Sequence, residues 1–330
     1  MLIADCTGDH PCLSVLSVVN KNPNVAVIDI GSNSIKSLVA ARGPQGGIVT
    51  VQTRTLDARI STGIGQARPR LREADMQRGL AAVRQLLAEI APLAPRHTVL
   101  VATSAVRDTA NGGDFCDRIH TATGHELRIL TGREEADLIG RGLTSDPALA
   151  DLQDFYVFDL GGGSLECLTF RARRMKQAVS LPLGCVRLTE RYVKDPQAPF
   201  SDACRARVTE ICREALAKSG FRFSLPVGGD AVFAGGTITT TRAIFAERLG
   251  RQITATSPLI TVAALRALLD DTARLPLETR KKIPGLPAAR ADVFPTALAT
   301  VVAVADYSGI TTFRHSFHNL RYGLAAELLE

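Results

Sequence analysis

The amino-acid sequence predicts an α/β protein made of two related halves, on three observations. Its 330 residues divide into two domains at the usual length of about 150 residues each. Short apolar, β-branched runs alternate with segments of helical periodicity. One unit also occurs twice, half a chain apart: an apolar strand, an Asp, an apolar residue, a Gly, a small polar turn and a second strand. An internal repeat of this kind points to a duplicated architecture.

The elements follow in order. Residues 1–23 form an extension with no assigned role. Its apolar stretch 13–19 is short and broken by Ser14 and Ser17, and the residues before it hold Asp5 and Asp9 but no Lys or Arg. Neither a membrane span nor a secretory signal is therefore expected. Residues 25–30 (VAVIDI) read as a buried strand stopped by the turn 31–34 (GSNS), with 35–42 as the second strand of a hairpin. Residues 73–90 carry Leu80, Val83, Leu86, Leu87 and Ile90 on one helical side. A strand is expected over 98–103, a helix over 114–121, and a strand over 126–130 that runs into Thr131 and Gly132. A helix with acidic residues in its first turn then covers 134–140. The second repeat is 155–160 (FYVFDL), the turn 161–164 (GGGS) and the strand 165–170. Helices are expected over 205–218 and 262–273. Residues 230–237 give another strand-then-glycine signal (DAVFAGGT) leading into a helix. Residues 275–290 read as a loop or surface helix, and 291–305 as an apolar helix. No low-complexity linker separates the halves, so the hinge between them is expected to be short and packed.

Composition narrows the function classes. Hydrophobic residues at 45% and charged residues at 22% exclude global disorder and a coiled coil. The net charge of +6, carried mainly by Arg, suits an anionic partner or serves solubility alone. Aromatics are only 5% and Trp is absent, so base-stacking platforms are poorly supplied and nucleic acid is not an expected partner. The seven Cys include no CxxC pair, which fits reduced thiols in a cytoplasmic protein. Cys204 and Cys212 are spaced to share a helix face.

Three glycine-rich turns after apolar strands are the chemical signal. Backbone N–H groups in such turns form anion-binding nests, and a missing Cβ lets phosphate approach. An Asp before two of the turns cannot bind phosphate itself. It either holds a divalent cation beside the phosphate or is a solvated turn residue. GxxxxGK[ST] is absent, and no GxGxxG follows the first strand, which excludes a P-loop and argues against a dinucleotide-binding unit. Ser/His/Asp catalysis has no GxSxG support. His315 and His318 could ligate a metal from a helix but have no partner cluster, so core or surface roles are favoured. Arg171, Arg173, Arg174 and Lys176 read as a solvated hairpin tip.

Taken together, VIDIGSNSIK (27–36), ATSAVRD (102–108), TGREEADLI (131–139), FDLGGGSLE (158–166), SLPLGCVRLTE (180–190), AGGTITT (234–240) and PGLPAARAD (284–292) resemble the motifs of the exopolyphosphatase/guanosine pentaphosphate phosphohydrolase (Ppx/GppA) family, in that family's order. The resemblance covers residues 24–330. It implies a two-domain fold of the actin-like, sugar kinase and Hsp70 superfamily, with duplicated mixed sheets and an active site in the cleft between them. The expected division is 24–134 and 135–330, with 314–330 open to packing back on the first domain. The implied activity is metal-dependent hydrolysis of the terminal phosphoanhydride of inorganic polyphosphate, with guanosine pentaphosphate (pppGpp) as the alternative substrate. A non-catalytic sensor of polyphosphate or (p)ppGpp is the rival from another class, against which the retention of every polar site residue speaks.

By the same resemblance, Glu135 is the general base, with Glu134 its bland neighbour, and Arg107 binds phosphate unless it only pairs with Asp108. Asp159 and Glu166 attend Mg²⁺ (or Mn²⁺), with Asp29 on the opposite wall. Gly31, Ser32, Asn33 and Ser34, with Gly161, Gly162, Gly163 and Ser164, supply donors to phosphate. Gly235, Gly236 and Thr237 hold a further phosphate or pack against the cleft, and Arg187 lies along the polyanion path or is structural. The family also implies a homodimer; the lack of a long apolar run predicts no membrane partner. The chain ends at Glu330, so the C-terminal HD-type helical domains of long members are expected to be missing and processivity reduced. Residues 54–71 depart from the family pattern.

Overall fold

The computed structural model describes residues 23–44, 46–226 and 229–330; the 13–19 stretch lies outside them. The first half runs β1 (Val25–Ile30), β2 (Ile35–Arg42), β3 (Ile48–Leu56), α1 (Glu73–Ile90), β4 (His97–Ala102), α2 (Ser104–Arg107), α3 (Gly112–Thr123) and β5 (Leu127–Ile129). After α4 (Gly132–Thr144) come β6 (Phe155–Leu160), β7 (Leu165–Arg171), β8 (Arg174–Leu181), α5 (Cys185–Tyr192), α6 (Asp202–Lys218), β9 (Asp230–Ala234) and α7 (Gly236–Arg248). The chain closes with β10 (Leu259–Thr261), α8 (Val262–Ala273), α9 (Leu277–Arg280), α10 (Phe294–Ser308), β11 (Thr312–His315) and α11 (Leu320–Leu328).

Alternation along β1 explains why it sits at a sheet centre. Ala26, Ile28 and Ile30 face the core under α1 and α3, while Val25 and Val27 enter a second cluster on the other face. A strand apolar on both sides is stable only with both faces covered. The first sheet has the order β3-β2-β1-β4-β5, antiparallel from β3 to β1 and parallel from β1 to β5. The second has the order β8-β7-β6-β9-β11, with the same sense at each pairing and β10 added at its edge. This duplication is the actin-like architecture.

Two helices join the halves. α4 packs on β7 and β8 of the second sheet, α11 packs on β1 and β2 of the first, and the two helices cross each other. They meet backbone to backbone. A Cβ on Gly142 would overlap the Asn319 carbonyl, and one on Gly323 would overlap the Leu138 carbonyl. Around this crossing, one apolar cluster draws Val25, Val27 and Leu38 from the first sheet and Val157, Leu168 and Phe170 from the second. The contact between the halves is closely packed.

Several details differ from the expectations. The 275–290 segment is anchored, because Arg280 is 1% exposed and donates to the carbonyls of Ala291, Pro196 and Ala198. His315 lies on a strand and His318 in a loop, where pairing of β11 with β9 and β10 sets the backbone. Burial and the nearby Arg242 push the His315 imidazole down to about 3. The tip at 171–174 is not simply solvated: Arg173 donates to the carbonyls of Leu149, Leu152 and Thr144, and Arg171 pairs with Asp154. Cys116, Cys167, Cys185, Cys204 and Cys212 are free thiols; Cys204 and Cys212 both lie on α6. Among the described residues, no helix is long and apolar enough to cross a membrane.

Candidate active site

The two Asp-bearing strands end side by side at a cleft of about 80 Å³. Each is followed by the same four-residue turn, closed by Gly31 N–H to the Ser34 carbonyl (3.2 Å) and by Gly161 N–H to the Ser164 carbonyl (3.0 Å). Antiparallel register sets Lys36 opposite Asp29 and Glu166 opposite Asp159. Lys36 and Glu166 thus hold equivalent places in the repeated unit with opposite charge. All four side chains line the cleft.

Taking these groups out of water dominates their protonation. Burial pushes the Asp159 carboxyl up to about 6, with Lys36 pulling down, Asp29 pushing up and Arg321 pulling down. Asp29 is raised by burial against Lys36 and Arg321. Burial lowers the Lys36 ammonium to about 8, helped by Arg321 and Arg290 and opposed by both Asp residues. Glu166 is raised by burial, then by Glu135 and Asp159, although the Ser180 hydroxyl donates to it at 2.7 Å.

Glu135 comes from the first turn of α4, whose start is fixed by a capping box. The Thr131 hydroxyl accepts from Glu134 N–H (3.2 Å), and Glu134 accepts from Thr131 N–H (2.8 Å). Those bonds, with Arg128, hold Glu134 down to about 2. Glu134 is therefore the capping acid, and the next residue along the helix turns inward. Glu135 is 6% exposed and accepts from Arg107 Nη1 at 2.8 Å. Burial pushes its carboxyl up to about 7, against Arg107, with Asp29 and Asp159 adding to the rise. Arg107 also donates to the Leu130 carbonyl (2.9 Å) and to Asp108 (3.3 Å). It sits behind Glu135 and does not line the cleft.

The turns supply donors. Ser32, Asn33 and Ser34 are buried and line the cleft with Gly31, Gly161, Gly162 and Ser164. Asn33 Oδ1 accepts from Arg59 Nε at 2.9 Å, whereas Asn33 Nδ2 is buried with no partner among the described residues. A buried donor left open in this way calls for an acceptor, and a phosphate oxygen provides one. Gly163 is closely packed against the first half: a side chain there would overlap Ser104. Gly235 has φ +90°, and a Cβ would overlap the Asp159 carboxylate; one on Gly236 would overlap the Arg290 guanidinium. These two glycines make room for Asp159 and Arg290, while Thr237 is buried in α7 off the cavity. Arg187 is 8% exposed and donates to the carbonyls of Gly163 and Ile64 and to Asp108, which makes it a tie between elements.

The cleft also holds Lys36, Thr103, Ser104, Arg290 and Asn319, which the residue-by-residue reading missed. Lys36 had a signal, since it follows Asp29 at the interval by which Glu166 follows Asp159. Arg290 lies in the 284–292 motif, which carried no role for it, because only the fold brings it onto Gly236. Among the described residues, no three His, Cys, Asp or Glu side chains form a ready metal cage. The carboxylates of Asp29, Asp159, Glu135 and Glu166 nevertheless line one cleft. Hard oxygen donors of this kind fit Mg²⁺ or Mn²⁺, since Mg²⁺ takes one or two carboxylates and completes its shell with water and substrate phosphate.

The sequence profile of the Ppx/GppA phosphatase family matches residues 38–330. Among solved structures, an exopolyphosphatase-like protein superposes with a TM-score of 0.82 at 24% identity, covering 94% of this chain and 98% of its own. An exopolyphosphatase from Cytophaga hutchinsonii gives 0.81 at 21% identity, over 93% and 97%. The Aquifex aeolicus Ppx/GppA family member gives 0.74 at 24% identity, over 93% and 98%. At these identities the superpositions speak for the fold.

Proposed function

The chain belongs to the Ppx/GppA phosphatase family, and on that premise we propose that its cleft hydrolyses the terminal phosphoanhydride of inorganic polyphosphate with water activated by Glu135. One observation carries the reading. A buried carboxylate of raised proton affinity, held by Arg107, faces the same small cleft as two donor-rich turns. A general base works best with a pKa near the working pH, and burial puts Glu135 there.

The residues divide the work. Asn33 Nδ2, the Ser32 and Ser34 hydroxyls and the free N–H groups of both turns bind the terminal phosphoryl oxygens. Lys36 and Arg290 balance its charge from opposite lobes. Donors fixed in advance at a dry site stabilise developing charge at little reorganisation cost. Arg107 orients Glu135, which takes the proton from a water in line with the phosphorus. Asp29 and Asp159, with Glu166 behind them, would hold Mg²⁺ or Mn²⁺, which when bound neutralises phosphate oxygens and polarises the scissile anhydride.

Polyphosphate is favoured over pppGpp by the lining of the cleft: it offers hydroxyls, glycine turns, Lys36 and Arg290 but no aromatic side chain to stack a guanine. Phosphate release from long-chain polyphosphate, tripolyphosphate, pppGpp and ATP, with Mg²⁺, Mn²⁺ or EDTA, tests this. The expected ranking puts polyphosphate first by kcat/KM, with no release in EDTA. A higher kcat/KM on pppGpp would move the assignment to a guanosine pentaphosphate phosphohydrolase.

A further inference from the structure

The segment 59–65 belongs to the first half, yet it is bound on both sides of the cleft. On its own side it splints the first turn: Arg59 N–H donates to the Asn33 carbonyl (3.0 Å), Arg59 Nε to Asn33 Oδ1 (2.9 Å), and the Ser61 hydroxyl to the Ser32 carbonyl (2.9 Å). On the far side, Gly63 N–H and Gly65 N–H donate to the two carboxylate oxygens of Glu190 at 2.8 and 2.9 Å. Arg187 Nη1 donates to the Ile64 carbonyl at 3.1 Å, and the Arg59 guanidinium pairs with Asp292. Ile64 itself is 1% exposed and sits in the second half's core with Leu183, Val186 and Leu188.

We infer that residues 59–65 are a latch across the cleft and that Glu190, with Arg187, is its keeper. These are positioning residues that act on the reaction through the turns they hold. The latch holds Asn33, a residue of the cleft lining whose Nδ2 is buried without a partner among the described residues. Arg187 ties it to the Gly163 carbonyl of the second turn (2.8 Å) and to Asp108, the neighbour of Arg107. The two halves cannot separate around substrate without breaking the Glu190 bonds and drawing Ile64 out of the far core. The same contacts remade on closure bring both turns back onto the phosphoryl group. The inference rests on the cleft being the site of reaction, but the latch itself is a statement about conformation.

Two carboxylate-accepted N–H bonds on an exposed keeper shift the closed-to-open ratio by about tenfold when removed. Truncating a buried Ile shifts it by more. Bound polyanion re-closes the cleft, so the loss falls on apparent affinity and spares the saturated rate. The test uses the full chain as wild type, Glu190→Ala, Glu190→Gln, Ile64→Ala and Ile64→Val, in small-angle X-ray scattering with and without tripolyphosphate and in steady-state hydrolysis. The expected result is a larger radius of gyration for the ligand-free Ala variants, reversed by tripolyphosphate. With it goes a KM raised by up to about tenfold in Glu190→Ala, kcat kept within about twofold, and intermediate values for the Gln and Val variants. A ligand-free radius and KM equal to wild type in both Ala variants overturns the latch, even if their melting temperatures fall. If wild type hydrolyses nothing, the proposed reaction fails, and the scattering comparison still decides the latch.

Discussion

Glu135 is buried next to a positive charge and is still pushed up, because loss of water outweighs the Arg107 contact. The sign of its pH dependence follows. A base must be unprotonated, and this carboxyl gives up its proton only as pH rises through about 7. The kcat/KM profile should therefore rise with pH over that region and fall away in acid. Arg107 pulls the Glu135 pKa down, so Arg107→Met should move the limb to higher pH as well as lower the rate. An unmoved limb would show that Arg107 is not what tunes Glu135. Glu134 supplies the control, since its carboxylate caps α4 outside the cleft. Glu134→Gln should leave kcat within about twofold of wild type and cost on the order of 1 kcal/mol at most in urea unfolding.

At the scale of elements, the α4–α11 crossing is the most demanding contact in the fold. Gly142→Ala would set a methyl against the Asn319 carbonyl, and overpacking of this kind costs about 1–3 kcal/mol. Urea denaturation should show that loss, while Gly113→Ala, near the start of α3 with nothing near the added carbon and no positive φ, should lose less. Elements whose identity is local were legible in the sequence. The 73–90 and 262–273 helices appear with the expected limits, and both Asp-turn hairpins form. What escaped depends on partners far along the chain. β11 is four residues long and is a strand only through its pairing with β9 and β10. α11 is wedged where both halves meet, with Leu320, Arg321, Tyr322, Gly323, Leu324 and Ala325 all buried, so it lacks the one-sided pattern by which a helix is read. The same division holds in the cleft: Asp29, Asp159 and the turns are local motifs, whereas Arg290 and the latch exist only once the halves have met.

The whole molecule is two copies of one sheet closed on a carboxylate-rich cleft. Burial raises the Glu135, Asp159 and Glu166 carboxyls above their unfolded values. Their contribution to stability is therefore full below about pH 4 and is lost as pH rises through their folded values. The ligand-free protein should be correspondingly less stable at pH 8, where Glu135 and Asp159 are ionised in the fold. A divalent cation in the cleft would relieve that repulsion, so Mg²⁺ should raise the melting temperature more at pH 8 than at pH 5. Equal shifts at both values would place the cation elsewhere. The central claim is that the cleft hydrolyses polyphosphate with Glu135 as its base. Its most direct test is phosphate release from long-chain polyphosphate by wild type and Glu135→Gln, with polyphosphate binding measured on the same samples. Losing a general base lowers the rate by about 10²–10⁴-fold, so release should all but vanish in the variant while binding persists. Release unaffected by the substitution would contradict the role of Glu135. Binding without release in wild type would contradict the reaction and leave a polyphosphate sensor.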